Sequence, residues 1–321
     1  MSAPAFLLAT NKRDITTDFI VAELKKRSLP FIRINTEDLA RAKVTFRPRK
    51  GQGWRLEFDD HIVDLEQVRA AYYRRPGVPL PPPDAVEDRV QSYCVEEWSA
   101  VLRSLWNALE GRWLNSPFAI LRAEDKPRQL SEAAELGFLL PETLVTNDFD
   151  AASLFVAQGN VIGKPLRRAL VDHGDTQAVL FTSRLGQIEV EDRRAVTLAP
   201  VIYQREISKA CDVRVTVVGN RLFAVAIHSQ VVEETSVDWR KGSRPELIHE
   251  VISLPESIKA GCLELTRRLG LTYGAIDLVL DKEGQFWFLE INPNGQWAWI
   301  ERRTDAPIAA AIVESLVEIA A

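Results

Sequence analysis

Residues 275 to 295 run Ala275-Ile276-Asp277-Leu278-Val279-Leu280-Asp281-Lys282-Glu283-Gly284-Gln285-Phe286-Trp287-Phe288-Leu289-Glu290-Ile291-Asn292-Pro293-Asn294-Gly295. Asp281 to Gly284 are turn formers between two apolar, β-prone runs, so the segment is expected to be a hairpin. With that turn, Asp277 is expected opposite Phe288, with Glu290 as its diagonal neighbour. Side chains alternate along a strand, which puts Glu290 and Asn292 on that same face. Three oxygen-bearing side chains then converge at one end of the hairpin, flanked by Ile276, Leu278, Leu289 and Ile291. Carboxylates set among such residues need a partner, and a hard cation that also binds phosphates is one that oxygen ligands hold well. A solvated polar face is the competing reading.

Working outward, the bulk properties narrow the class. A chain of 321 residues suits two or three lobes rather than one simple core. Its 46% hydrophobic and 26% charged content is that of an ordinary globular enzyme. No apolar run approaches the roughly 20 residues that span a bilayer. The N-terminal run MSAPAFLLAT lacks a basic region and reads as a first strand rather than a signal peptide. Cys94, Cys211 and Cys262 lie far apart, which argues against a disulfide framework or zinc site and for a reducing cytoplasm. A net charge of −5 excludes a generally basic nucleic-acid binder, so an anionic ligand needs a local cluster of cations.

Along the chain, residues 5–10 and 31–35 read as strands around a helix at 18–27, a βαβ unit with a parallel pair. Residues 44–46 and 54–58 read as a hairpin and 71–75 as a further strand. Residues 79–83 are a proline-rich loop, and 86–109 have helical periodicity. Residues 119–136 are helical, with Pro127 in the first turn of a new helix. Strands are expected at 141–146, 160–165 and 178–182, with a hairpin near Gly186. From Val201 the pattern becomes antiparallel strands at 201–207, 212–218, 222–229, 274–280 and 285–291, with a helix at 255–269 and a last one from Ala306. The expected division is an N-terminal α/β lobe at 1–115, a central lobe at 116–200 and a C-terminal antiparallel lobe at 201–321.

Two lysines suit a polyphosphate: Lys126, before Pro127 at a helix start, and Lys164, at the end of Val161-Ile162-Gly163. Either alone is an ordinary surface lysine. Taken in order, Lys126, Lys164, Gln204-Arg205-Glu206-Ile207, Asp212-Val213-Arg214, Asp277 and Leu289-Glu290-Ile291-Asn292 resemble the ATP-grasp superfamily over residues 115–300. The resemblance implies an ATP-grasp fold, α/β with a pre-ATP-grasp lobe, and binding of ATP and Mg²⁺. It implies that Lys126 and Lys164 contact phosphates, that Gln204 to Ile207 form the adenine hinge, and that Glu206 binds the ribose. Arg214 would face the reacting phosphate, Asp277, Glu290 and Asn292 would hold Mg²⁺, and Asp212 would orient Arg214 or a neighbouring lysine. Where glutathione-synthetase-like and RimK-like ligases place a second arginine, this chain has His228. That residue is either structural or engaged in acceptor binding or proton removal.

Ala71-Tyr72-Tyr73-Arg74-Arg75-Pro76, Asp238-Trp239-Arg240 and Asn292-Pro293-Asn294-Gly295-Gln296-Trp297 extend the resemblance over the whole chain, to the microviridin-type (MvdD-like) peptide maturases. Members of that group phosphorylate Asp or Glu side chains of a ribosomally made precursor peptide and close ω-esters to Ser/Thr or ω-amides to Lys. The resemblance implies a peptide partner with a leader and an acidic core. It points to residues 168–194 as leader-binding segment or lid, and to a homodimer; Trp98, Trp106 and Trp113 are core, the default for large apolar residues at helical spacing, or interface. Arg74 and Arg75 would guide acidic side chains or the acyl phosphate, or stand as a basic strand end. Arg167, Arg168 and Arg240 line the cleft or lie in solvated loops. The alternatives are a RimK-like ligase joining free amino acids to a carboxylate and a non-catalytic ATP-binding regulator.

Overall fold

The computed structural model describes residues 5–49, 52–58, 61–81, 87–167, 170–172, 177–179, 182–231, 237, 239 and 247–321. Arg168, Asp238 and Arg240 therefore lie outside the described residues, as does part of 168–194. In chain order the elements are β1 (Phe6–Thr10), α1 (Ile15–Lys26), β2 (Phe31–Asn35), β3 (Lys43–Arg49), β4 (Gln52–Phe58), β5 (His61–Asp64), β6 (Ala70–Tyr73), α2 (Asp88–Ala108), α3 (Pro117–Ala123) and α4 (Lys126–Glu135). Then come β7 (Thr143–Thr146), α5 (Phe149–Ala157), β8 (Val161–Lys164), β9 (Leu170–Asp172), β10 (Gln177–Val179), β11 (Ser183–Leu185), α6 (Arg193–Leu198) and β12 (Val201–Arg205). The last part holds β13 (Lys209–Val218), β14 (Arg221–Ile227), β15 (His249–Val251), α7 (Glu256–Arg268), β16 (Tyr273–Asp281), β17 (Phe286–Asn292), α8 (Ala298–Thr304) and α9 (Ile308–Ala320).

The expected βαβ unit is present: β1 pairs β2 and β6 in parallel, and β3, β4 and β5 form a separate antiparallel sheet. Asp14 starts α1 by accepting the Thr16 amide at 3.1 Å. Trp106 and Trp113 are core residues, meeting Tyr73 and each other edge to face, while Trp98 packs against that core half-buried. The central sheet runs β11-β8-β12-β7. One expectation changes here: strand 201–205 pairs β7 and β8, so the C-terminal sheet begins at Lys209 and not at Val201. A second changes at Gly186: β11 pairs back onto β8, and the chain after it goes into a short 3₁₀ turn and α6.

The C-terminal sheet is antiparallel in the order β15-β14-β13-β16-β17. Val213, Val215 and Val217 of β13 enter a core with Cys262 and Leu265 of α7 and Ala133 of α4. The intervening Asp212, Arg214 and Thr216 therefore face the other way. The hairpin holds the largest difference from expectation. Phe288 and Ile291 are three residues apart, so simple alternation puts them on opposite faces, yet both are buried in the α7-side core with Ile276 and Leu278. A bulge resolves this: Leu278 pairs Phe288 while Asp277 pairs Glu290, leaving Leu289 as the extra residue. Phe288 goes to the core, and Glu290 lies directly across from Asp277 rather than diagonally.

The first lobe and the C-terminal lobe share a core: Phe6, Leu8, Ile20, Leu24, Ala70 and Tyr72 pack with Tyr273, Trp297, Ile308, Ile312 and Leu316. Polar ties cross the same boundary. Asn115 accepts the amides of Thr272 and Tyr273 and donates to the carbonyls of Tyr273 and Pro293. Arg74, 2% exposed, lies 3.2 Å from Asp14 Oδ1 and donates to the carbonyls of Asn294 and Gly295 at 3.1 Å each. Burial opposes the charge on Asp14, but Arg74 and the hydroxyls of Thr17 and Thr10 outweigh it, so the carboxyl titrates below its ordinary range. A depressed carboxylate stabilises the fold above its unfolded-state pKa and loses that contribution as pH falls through the folded value. The stability gap between wild type and Asp14→Asn, read by urea unfolding, is therefore expected to be constant near neutrality and to narrow below about pH 4. A gap that does not change down to pH 3 would show that the carboxylate charge is not what Arg74 needs.

Candidate active site

The site is a row of charges across the C-terminal sheet. Arg214 of β13 pairs Asp277 of β16, which pairs Glu290 of β17, so the three side chains stand on neighbouring strands on one face. Arg214 Nε is 2.8 Å from Asp277 Oδ1, with both side chains largely buried. Glu290 Oε2 is 3.1 Å from Lys126 Nζ, which also donates to the Pro165 carbonyl at 3.2 Å. That second bond joins the start of α4 to the end of β8, where Lys164 stands. Lys164 Nζ donates to Gln204 Oε1 at 3.0 Å, and Gln204, fully buried, donates to Thr143 Oγ1 at 2.8 Å. Asn292 lies two residues beyond Glu290 and pairs Ala275; its Oδ1 accepts the Asn294 amide at 2.9 Å.

Among the described residues no three His, Cys, Asp or Glu side chains cluster as a metal site. The oxygen donors are two carboxylates and one amide, a set that suits Mg²⁺ sharing its coordination with phosphate oxygens and not a closed all-protein cage. Both carboxylates are partly buried, Asp277 at 13% and Glu290 at 17% side-chain exposure, and each has a cation beside it. The donor chemistry fits the ion.

The flanking residues complete the cleft. Both carboxylate oxygens of Glu206 accept from the Nε–Nη2 edge of the Arg184 guanidinium, with contacts of 2.8 to 3.0 Å, which ties β11 to the segment after β12. Asp212 does not contact Arg214 in the described network; it accepts Lys209 Nζ at 2.8 and 2.9 Å and the Ser229 hydroxyl. Lys209, three residues before it, is the lysine that Asp212 contacts. The Trp239 ring lies over the Arg214 guanidinium, 5.4 Å from its centre, and packs against Trp299.

Comparison with known proteins bears on this arrangement. The chain matches the MvdD pre-ATP grasp domain at residues 5–120 and the RimK-like ATP-grasp domain at residues 123–316. The chain belongs to the RimK-like ATP-grasp family. It is 31% identical over 242 residues to a probable alpha-L-glutamate ligase of Klebsiella pneumoniae (strain 342), covering 74% of this chain and 77% of that one. Among solved structures it is similar to the macrocyclase MdnC bound with precursor peptide MdnA from Microcystis aeruginosa MRC, with TM-score 0.84, 28% identity, and 98% and 99% of the two chains covered. It is also similar to a Chryseobacterium gregarium RiPP-associated ATP-grasp ligase in complex with ADP and a leader and core peptide, with TM-score 0.88, 26% identity, and 98% and 96% covered. Members of the family are ATP-dependent ligases, and this chain is an ATP-grasp ligase.

Within the ATP-grasp frame, three predicted residues stand apart from the charge row. Arg74 directly follows the end of β6 but is buried and not in solvent, and its donors are engaged by Asp14, Thr16 and two loop carbonyls, which leaves it away from an acidic substrate side chain. Arg75 is exposed and has φ of 44°, a strained value for a residue with a Cβ. His228 bonds Glu250 at 3.2 Å, and Glu250 pairs Ala226, whose side chain joins the α7-side core. The ring is thus engaged toward the face opposite Arg214.

The most consequential residue missed from sequence is Gln129. It is 3% exposed, accepts the Ile291 amide at 3.0 Å and donates to the carbonyls of Ile291 and Ala123. It satisfies the free edge of β17 midway between Glu290 and Asn292, and holds α4 so that Lys126 meets Glu290. A lone glutamine one turn after a lysine carries no sequence signal of this. Gln129→Leu strands these backbone groups and is expected to cost about 3 kcal/mol in denaturant unfolding and to slow ATP turnover in the fraction that folds. A cost below about 1 kcal/mol would mean that water replaces the amide.

Proposed function

We propose that this ATP-grasp ligase phosphorylates Asp or Glu side chains of a ribosomally made precursor peptide and closes them onto Ser/Thr as ω-esters or onto Lys as ω-amides. The observation that carries this is the end-to-end likeness to peptide-bound ligases, first lobe included, combined with the Lys126–Glu290 and Arg214–Asp277 pairs. A carboxylate is unreactive toward a hydroxyl or amine because oxide is a poor leaving group. Attack of its oxygen on the γ-phosphorus of ATP, with ADP leaving, gives an acyl phosphate. Attack of the acceptor on the acyl carbon, with loss of the acceptor proton, then expels phosphate.

Lys126 and Lys164 supply point charges for the phosphates, and Arg214 faces the transferred group and the acyl oxygens. Asp277, Glu290 and Asn292 hold Mg²⁺, which when bound supplies charge stabilisation to the phosphoryl oxygens. The hinge runs from Gln204 to Ile207, and Glu206 takes the ribose hydroxyls by exchanging its Arg184 contacts. Residues 168–194, with β9 and β10, receive the leader segment. The lobes divide at about residue 115 and, with strand 201–205 in the central sheet, just before Lys209; the working form is a homodimer, and the setting is a cytoplasm in which Cys94, Cys211 and Cys262 stay as free thiols. Among the described residues no helix is long and apolar enough to cross a membrane.

A second reading rests on the glutamate ligases among the sequence relatives: addition of a free amino acid to a carboxylate. Mass spectrometry separates the two. An acidic peptide containing Ser, Thr and Lys, encoded beside the gene, is expected to lose the mass of one water per ring when incubated with the protein, ATP and Mg²⁺. Glu290→Gln and Asp277→Asn, still folded, are expected to abolish that loss. A gain of one amino-acid residue when free amino acids are added supports the second reading, and turnover at the wild-type rate by either variant removes the metal assignment.

A further inference from the structure

We propose that Arg74 is a positioning residue of the ligase: from the first lobe it sets the placement of Asn292 and Arg214 by holding the backbone of the loop between them. This rests on the reading of Asn292 as metal ligand and Arg214 as phosphate partner.

The loop at 293–296 follows Asn292 directly. The Asn292 side chain is fixed from that loop, because its Oδ1 accepts the Asn294 amide at 2.9 Å, and its carbonyl accepts the Gly295 amide at 3.2 Å. Gly295 also has no room for a side chain. A Cβ there would lie 2.3 Å from the Ala275 Cβ and 3.2 Å from Arg214 Nη1. This close approach couples the loop to Arg214, as the Asn294 amide couples it to Asn292, so a shift of the loop acts on both side chains.

What holds the loop comes mostly from outside it. Arg74 Nη1 donates to the carbonyls of both Asn294 and Gly295 at 3.1 Å. The Tyr273 hydroxyl donates to the same Gly295 carbonyl at 2.7 Å, and Trp297, fully buried, anchors the far end. Arg74 is itself fixed by Asp14 at 3.2 Å and Thr16 Oγ1 at 3.4 Å, both at the start of α1 in the first lobe. Two guanidinium groups thus lie on either side of one strip of backbone: Arg214 on the reacting side, Arg74 on the buried side. The buried one meets Asp14, Thr16 and the two loop carbonyls. Its action is outer-shell, on the ligands' supports, and such supports commonly change metal affinity about 10- to 100-fold when removed.

The test uses the full chain with two readouts: ADP binding by calorimetry while Mg²⁺ is varied, which needs no turnover, and steady-state ADP release with the acidic peptide present while Mg²⁺ is varied at saturating ATP and while ATP is varied at saturating Mg²⁺. Arg74→Met is expected to raise the Mg²⁺ concentration for half-maximal binding and release about tenfold and to lower kcat, leaving KM for ATP within about twofold because the hinge and both lysines are untouched. Tyr273→Phe, which deletes one hydroxyl and keeps the ring, is expected to shift the Mg²⁺ dependence the same way by about threefold, and it serves if Arg74→Met does not fold. Folded variants with wild-type Mg²⁺ dependence overturn the proposal, as does a loss confined to KM for ATP. If wild-type ADP release does not depend on Mg²⁺ at all, the metal-site reading fails first and this inference fails with it.

Discussion

One extra residue in a strand governs the site. Leu289 has no partner across the hairpin, and its insertion lets Phe288 and Ile291 enter the same core although they are three residues apart. Without it, burying Phe288 would carry Glu290 into the apolar side of the sheet, where an ionised carboxylate costs several kcal/mol. With it, the strand keeps its apolar anchor and still presents Glu290 beside Asp277. The charge row from Arg214 to Glu290 exists because this one register shift reconciles packing with chemistry.

The charges in that row are arranged in opposed pairs. Two carboxylates side by side on neighbouring strands repel, and the structure answers with a cation at each end: Arg214 for Asp277 and Lys126 for Glu290. Each cation is delivered by a different element. β13 brings Arg214 by strand pairing, whereas α4 brings Lys126 because Gln129 docks the helix on the edge of β17. On the proposed reading, the groups that balance charge in the folded protein are those that would meet a nucleotide and its cation, so binding would redistribute existing pairs instead of creating charge from nothing.

Much of this was legible in the sequence, and the gaps have physical causes. The βαβ unit, the hairpin, the break before Pro127 and the antiparallel character of the last lobe follow from local periodicity and turn chemistry, which one segment carries by itself. The carboxylates stood out as charges among apolar strand residues, Lys126 and Lys164 as cations at a helix start and a strand end, and Arg214 only through the resemblance to the ATP-grasp superfamily. What sequence could not supply was pairing over distance. Strand 201–205 looks like its successors but hydrogen-bonds backward to β7 and β8. The bulge at Leu289 depends on two aromatic and aliphatic side chains both finding the core, a tertiary fact that alternation rules misread. Arg74 looks like a surface cation beside Arg75, and only the approach of the loop at 293–296 makes it an interior group.

The shared core of the first lobe and the last helix has a bearing on how the protein is made. Phe6, Leu8 and Ile20 leave the ribosome well before Ile308, Ile312 and Leu316, which are part of what covers them. The parallel sheet of β1, β2 and β6 therefore waits, with an apolar face uncovered, until α9 has been made. A nascent first lobe is the stage at which this protein is most exposed to aggregation, and holding by a chaperone would matter there more than at any later step.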